Sequence, residues 1–236
     1  MDWTLVKKVA NPWGIVPMMG GGQSVSPRVR EYMDRVWEES KKRDCLSRRH
    51  HYVPQAHLRA WSPDGKRVRA LHTANGTDKL LGLRDVCVKE NYYQVTDSSD
   101  VLHNQVEAML AVIDGETAHL LRRLNQWSPG DDIAVEEFMS LAAVMAFQRN
   151  RTPQARRFLT EMSSWQERRV NQPAVEYPND VFVDVLFRTT YGEADEFPTR
   201  QLELWDDPKG RFITCDQPIL LSPGAGGTPP STLHSR

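Results

Sequence analysis

Three patterns in the sequence predict an α+β protein, predominantly α-helical with a small antiparallel sheet. From about Asp100 to Trp127, Leu102, Val106, Met109, Leu110, Ile113, Leu120, Leu121 and Leu124 fall on one stripe at helical spacing. Phe138, Leu141, Met145 and Phe147 carry a second helix after the Ser128-Pro129-Gly130 turn, and so short a connection makes the two helices antiparallel neighbours. Between Lys66 and Thr73, by contrast, Val68, Ala70 and His72 alternate with Arg67, Arg69 and Leu71, which is the period of a strand.

Taken in order, residues 1–25 hold Pro12, Pro17 and the run Gly20-Gly21-Gly22 with no sustained period, and read as a flexible appended arm. Ser26-Pro27 is an N-cap followed by proline at the first helical position, and Val29, Tyr32, Met33 and Val36 continue that helix to about Lys42. Its end is basic: Lys41, Lys42, Arg43, Arg48 and Arg49 suit a helix C-terminus, and could equally hold a phosphate. Pro54 pushes Val53 into an extended conformation, so His50, His51 and Tyr52 arrive as a short arm. A short helix then starts at Pro54, carries Leu58 and Trp61 on one face, and stops at the turn Ser62-Pro63-Asp64-Gly65.

Asn75-Gly76 turns the chain again, and Val86-Cys87-Val88 and Tyr92 to Val95 are strand-like runs around a break at Lys89-Glu90-Asn91. Asp100 caps the first long helix, Asp131 or Asp132 the second, Thr152-Pro153 starts a third to about Val170, and Asn179 to Thr190 is a fourth. Gln201 to Trp205 and Arg211 to Cys215 flank Asp207-Pro208-Lys209-Gly210 as a hairpin. From Ser222 onward Gly, Pro, Ser and Thr dominate, a tail read as disordered, truncated or divergent. The domain plan is therefore an extension over 1–47, one domain over 48–221 and the tail over 222–236.

With 30 basic and 31 acidic residues the formal net charge is -1, so bulk attraction to nucleic acid or membrane is not implied and any phosphate affinity is local. Cys45, Cys87 and Cys215 are odd in number and lack a Cys-x-x-Cys pair, which argues against a disulfide framework and a zinc ribbon and for thiols in a reducing cytoplasm. No run approaches the length of a membrane span. A Gly-rich phosphate loop, a Gly-x-Ser-x-Gly elbow and paired Cys motifs are all missing, which disfavours nucleotide kinases, α/β-hydrolases and zinc fingers.

Five ordered motifs resemble those of a bacterial family known as a domain of unknown function, number four-two-three-eight. They are His51-Tyr52-Val53-Pro54-Gln55; Glu90-Asn91-Tyr92-Tyr93; the helix carrying Glu107 and Asp114; Gln148-Arg149-Asn150-Arg151-Thr152-Pro153; and Phe212-Ile213-Thr214-Cys215-Asp216-Gln217-Pro218. The resemblance implies a fold relationship and candidate positions over roughly residues 48–220, with no established activity.

The candidate site residues follow from helical geometry. Glu107 and Asp114 are seven apart and nearly in line, His103 lies one turn before Glu107, and Leu110 between the two acids puts them at the border of the apolar stripe. On the facing helix Gln148 continues the stripe of Leu141 and Met145, and Arg151 comes one turn further on. Asp216 projects from a strand end, where it either acts or caps its own turn. One reading makes Arg151 and Gln148 the partners of Glu107 and Asp114 in a buried structural network. The other makes His51, Glu107, Asp114 and Asp216 the catalytic groups and ligands of magnesium or manganese, with Arg151, Gln148 and Gln55 on the substrate. That second reading is a metal-assisted, nuclease-like phosphodiester hydrolase acting on nucleic acid or a nucleotide. Its rival is a non-catalytic module that binds a nucleotide or protein in the same polar cradle.

Overall fold

A computed structural model describes residues 4–9, 26–43, 47–96, 101–127, 133–169, 178–199, 202–206, 214–216 and 218–219. In chain order the elements are β1 (Thr4–Val9), α1 (Pro27–Ser40), β2 (Arg49–His51), α2 (Gln55–Ala60), β3 (Arg67–His72), β4 (Thr77–Gly82), β5 (Val88–Glu90), β6 (Val95–Thr96), β7 (Leu102–His103), α3 (Gln105–Leu124), α4 (Val135–Asn150), α5 (Pro153–Arg169), α6 (Asn179–Glu196) and β8 (Leu202–Asp206), with a 3-10 turn at Phe197–Thr199. The fold is α+β and helix-dominated. Among the described residues its small antiparallel sheet structure takes the form of four two-stranded ribbons, β1–β8, β2–β5, β3–β4 and β6–β7.

The main core is built by α1, α3, α4 and α6. Val29, Tyr32, Met33 and Val36 of α1 pack with Val106, Met109, Leu110 and Ile113 of α3, and with Phe147 of α4 and Phe182 and Leu186 of α6. Ala142, Ala143 and Ala146 are all buried, and their small side chains let the α4 backbone approach its neighbours closely. α1 starts as its sequence dictates: Ser26 Oγ accepts from the Val29 amide at 3.3 Å, and Pro27 needs no partner for a missing N–H. The Ser26 amide in turn donates to Asp195 Oδ2 at 2.8 Å, tying the start of α1 to the end of α6. Thr4–Val9 pairs with Leu202–Asp206, so a strand lies inside the stretch that sequence periodicity leaves as an arm.

A second, smaller core sits under the ribbons, where Val53, Leu58, Val68 and Leu83 are buried with Tyr52, Val86 and Cys87 against them. Its turns are those the sequence specifies. Gly65 and Gly76 adopt φ of 67° and 68°, where glycine carries no Cβ penalty, and Asn75 Oδ1 accepts from the Thr77 amide at 3.0 Å.

Several boundaries differ from expectation. β5 runs through Lys89 and Glu90, and the break comes at Asn91, whose φ is 52°. α3 begins at Gln105, because Leu102 and His103 pair with Thr96 and Val95 as β7. His103 is therefore not one helical turn before Glu107; its Nδ1 accepts from the Gln105 amide at 3.3 Å at the helix start. Trp61 ends α2 and is 37% exposed, while Leu58 is buried. The turn residues 207–213 of the expected hairpin, the capping positions Asp100, Asp131 and Asp132, and the tail from Ser222 lie outside the described residues. Among the described residues no helix is long and apolar enough to cross a membrane.

Candidate active site

Arg151 closes α4 at the junction of the helical core and the ribbons, and it is 1% exposed. A guanidinium cannot lose its charge at that depth, so the protein must supply a counter-charge and hydrogen-bond acceptors. Asp114 of α3 provides the charge, with Oδ1 2.8 Å from Arg151 Nη1. Nε of Arg151 donates to Gln148 Oε1 at 3.1 Å, and Gln148 Nε2 donates onward to the Tyr52 carbonyl at 3.0 Å. The Arg151 carbonyl accepts from the Tyr93 hydroxyl at 2.9 Å. Tyr93 is fixed from behind, since its amide donates to His50 Nδ1 at 2.9 Å while His50 Nε2 meets the Ser47 carbonyl at 3.0 Å, an arrangement that makes Nε2 the protonated nitrogen.

This network is incompletely satisfied from within. His51 Nε2, Glu107 Oε2, Asp114 Oδ1 and both Nη atoms of Arg151 are buried without an aligned hydrogen-bond partner. The Arg151–Asp114 contact is thus an ion pair at close range whose N–H does not point along the line to the oxygen. Buried polar atoms in folded proteins are nearly always hydrogen-bonded, so five such atoms around one arginine mark a place suited to polar guests. Asp114 lies at its outer edge: its side chain keeps 28% of its exposure, although the Oδ1 that faces Arg151 is buried.

The electrostatics divide the two acids. Desolvation, reinforced by the Asp114 charge, lifts Glu107 to about 8, so it holds a proton at neutral pH. Burial raises the Asp114 carboxyl on balance, against the pull of Arg151; burial opposes the charge on Arg151, and Asp114 more than offsets that. The charged pair is the state we assign, because Arg151 stays protonated and without a counter-ion its burial would cost about 3–5 kcal/mol. Burial lowers His51, opposed by a Leu83 backbone hydrogen bond and the Asp114 charge, which leaves it a neutral imidazole. One proton on two carboxylates beside a neutral histidine is an acid–base arrangement.

Of the residues singled out from sequence, His51, Glu107, Asp114, Gln148 and Arg151 come together here. Asp216 does not join them. It is exposed, and its charge acts on Tyr52 and Cys87. The ligand set His51, Glu107, Asp114 and Asp216 is accordingly not assembled, and among the described residues no three His, Cys, Asp or Glu side chains are grouped to hold a metal ion. Gln55 opens α2, half-buried, with no hydrogen bond to the cluster among the described residues.

Other residues enter unannounced. His57 meets Thr214 Oγ1 at 2.9 Å, and burial followed by the Arg151 charge lowers its pKa. Helix α2 is only six residues long, too short for a period to mark His57. Arg43, exposed, donates to the Ala111 carbonyl at 3.2 Å and acts on Asp114, while Arg49 acts on His51. Five separate stretches, 49–57, 91–93, 107–114, 148–151 and 214–216, thus meet around one buried arginine or on its flank. A family model described as "Protein of unknown function (DUF4238)" matches residues 49–234, which takes in all five. Neither a curated protein nor a solved structure matches the chain.

Proposed function

The chain belongs to the DUF4238 family, whose description names no activity, and from the site itself we propose a hydrolase that cleaves phosphodiesters with a carboxylate pair. The observation that carries this reading is the split between the acids: Asp114, 28% exposed and paired with Arg151 at 2.8 Å, beside Glu107, whose carboxyl burial lifts to about 8. Asp114 takes a proton from an attacking water as the new phosphorus–oxygen bond forms. Glu107 gives its proton to the departing oxygen, and solvent returns both carboxyls to their starting states. A general acid works best with a pKa near the working pH, and such a group is worth roughly 10²–10⁴-fold in rate. Exposed guanidinium groups at Arg43 and Arg49 near the cluster favour an anionic substrate over a neutral one.

Arg151 takes a different part in this reading than direct phosphate binding. At 1% exposure it holds Asp114 and Gln148 in place from beneath. Magnesium or manganese remains part of the proposal only as an ion held by Asp114 and Glu107, with water and phosphate oxygens in its other positions; Mg²⁺ sites with one or two protein carboxylates are ordinary. Binding would then displace the Glu107 proton. The test is incubation of the purified protein with DNA, RNA and nucleotides, with manganese or with chelator. Cleavage that disappears in both Asp114→Asn and Glu107→Gln supports the reading, and cleavage that survives both overturns it. Activity unaffected by chelator removes the ion and leaves the carboxylate pair.

A second reading has its own support. The chain of contacts from Asp114 through Arg151 and Gln148 to the Tyr52 carbonyl joins α3, α4 and the loop before α2, as a purely structural brace would. On that reading the module binds a nucleotide or protein without turnover. Folded protein that binds nucleotide and cleaves nothing under any metal condition would establish it.

A further inference from the structure

The small layer formed by α2 and the β2–β5 and β3–β4 ribbons carries a charge opposite to that of the remaining chain. Residues 48–90 hold nine arginines and lysines against four aspartates and glutamates, a net of +5 in a chain whose formal net charge is -1. Three of the four acids are already engaged: Asp64 pairs with Arg67 at 2.9 Å, Asp78 with Arg69 at 2.5 Å, and Asp85 with Arg49 at 2.8 Å. That leaves Arg48, Arg59, Lys66, Lys79, Arg84 and Lys89, all exposed, without a carboxylate partner among the described residues. A surplus of this size produces a local positive field that the near-zero total charge conceals. The layer also presents an aromatic ring to solvent, since Trp61 is 37% exposed and sits 6.3 Å from the His57 ring, centroid to centroid. His57 lies within reach of the Arg151 charge, so this ring flanks the acid–base cluster.

We infer that this layer docks a single-stranded nucleic acid, the exposed cations tracking its phosphates and Trp61 stacking on a base. Unpaired cations with an aromatic platform are the combination that single-strand binding uses, whereas a duplex hides its base faces. The inference rests on the phosphodiester reading by naming its substrate as a nucleic-acid strand, but binding and cleavage are measured separately.

The test is fluorescence anisotropy of labelled oligo(U) against salt, for the wild-type chain, the Arg59→Glu/Lys66→Glu/Lys79→Glu variant and Trp61→Ala, with heparin as a polyanion lacking bases. Each phosphate contact contributes about 0.7 to the slope of log affinity against log salt for a single strand, so the triple reversal should lower the slope by about 2 and weaken binding by tenfold or more. Trp61→Ala should weaken oligo(U) about tenfold and leave heparin unchanged. Circular dichroism confirms that each variant is folded. Wild-type binding that is absent at low salt, or a folded triple variant that binds as the wild type does, overturns the inference. Loss of heparin and oligo(U) affinity alike in Trp61→Ala also overturns the stacking assignment. Oligo(U) bound with the expected slope but never cleaved leaves this inference standing and removes the hydrolase; cleavage indifferent to the triple reversal does the opposite.

Discussion

Arg151 Nη1 and Asp114 Oδ1 are 2.8 Å apart, yet the arginine side chain is 1% exposed and the aspartate 28%. The pair therefore has an inside and an outside. Arg151 is the inner member and has no route to solvent, so its work is to fix the charge and position of the outer one.

Removing Arg151 leaves the Asp114 carboxylate without the counter-charge that contacts it at 2.8 Å. Arg151→Ala should cost about 3–5 kcal/mol in urea unfolding. Phosphate should not restore it. Adding Asp114→Asn to Arg151→Ala should recover part of the loss, because the uncompensated carboxylate is then gone. A loss under about 1 kcal/mol would mean that Arg151 faces a wetter site than its burial indicates.

The pH dependence of stability follows from Glu107. Its folded pKa of about 8 lies above the ordinary carboxyl value of 4.5, so between these limits the folded chain holds a proton that the unfolded chain has released. Stability from this group is fully present below about pH 4.5, declines as pH rises, and is lost once pH passes about 8. Glu107→Gln should remove that decline and stabilise the fold at pH 8, on the order of 2–4 kcal/mol given about 1.4 kcal/mol per pKa unit. The histidines act on the other limb. Burial lowers His50, His51 and His57, so each contributes stability above its unfolded value near pH 6.5 that is lost as pH falls. Denaturation of wild type and Glu107→Gln across this range checks both limbs, and parallel curves would contradict the Glu107 assignment.

Tyr93→Phe tests how the arm is fastened. Its hydroxyl is the donor to the Arg151 carbonyl at 2.9 Å, and Tyr93 is 0% exposed. Losing that donor strands a buried carbonyl and should cost roughly 1–3 kcal/mol, seen as a shift of the urea midpoint at unchanged slope. No change in midpoint would show that the carbonyl finds another donor.

Helix α1, the half-buried positions of Glu107 and Asp114 and the buried ones of Gln148 and Arg151 are legible in the sequence because helical spacing is a local rule. Leu110, at 1% exposure between the two acids, places them at the rim of the stripe as the spacing requires. Asp216 is a different case. Its position depends on where the chain returns after α6, and the Thr214–His57 hydrogen bond, between residues 157 apart, sets it beside Tyr52 and Cys87. His103 misleads for a related reason: the helical period extends back through Leu102, but pairing with Val95 and Thr96 takes both residues into a strand. The β1–β8 ribbon joins the two ends of the described chain, and no local pattern announces a pairing at that separation.

The pH–rate profile of phosphodiester cleavage by wild type and Glu107→Gln tests the central claim most directly. If Glu107 is the general acid, wild-type turnover falls above about pH 8 as the carboxyl ionises. Glu107→Gln, still folded, then loses roughly 10²-fold or more of the rate, and that limb with it. An unchanged rate and an unchanged profile in Glu107→Gln would contradict the account, because the raised carboxyl would then belong to the fold alone.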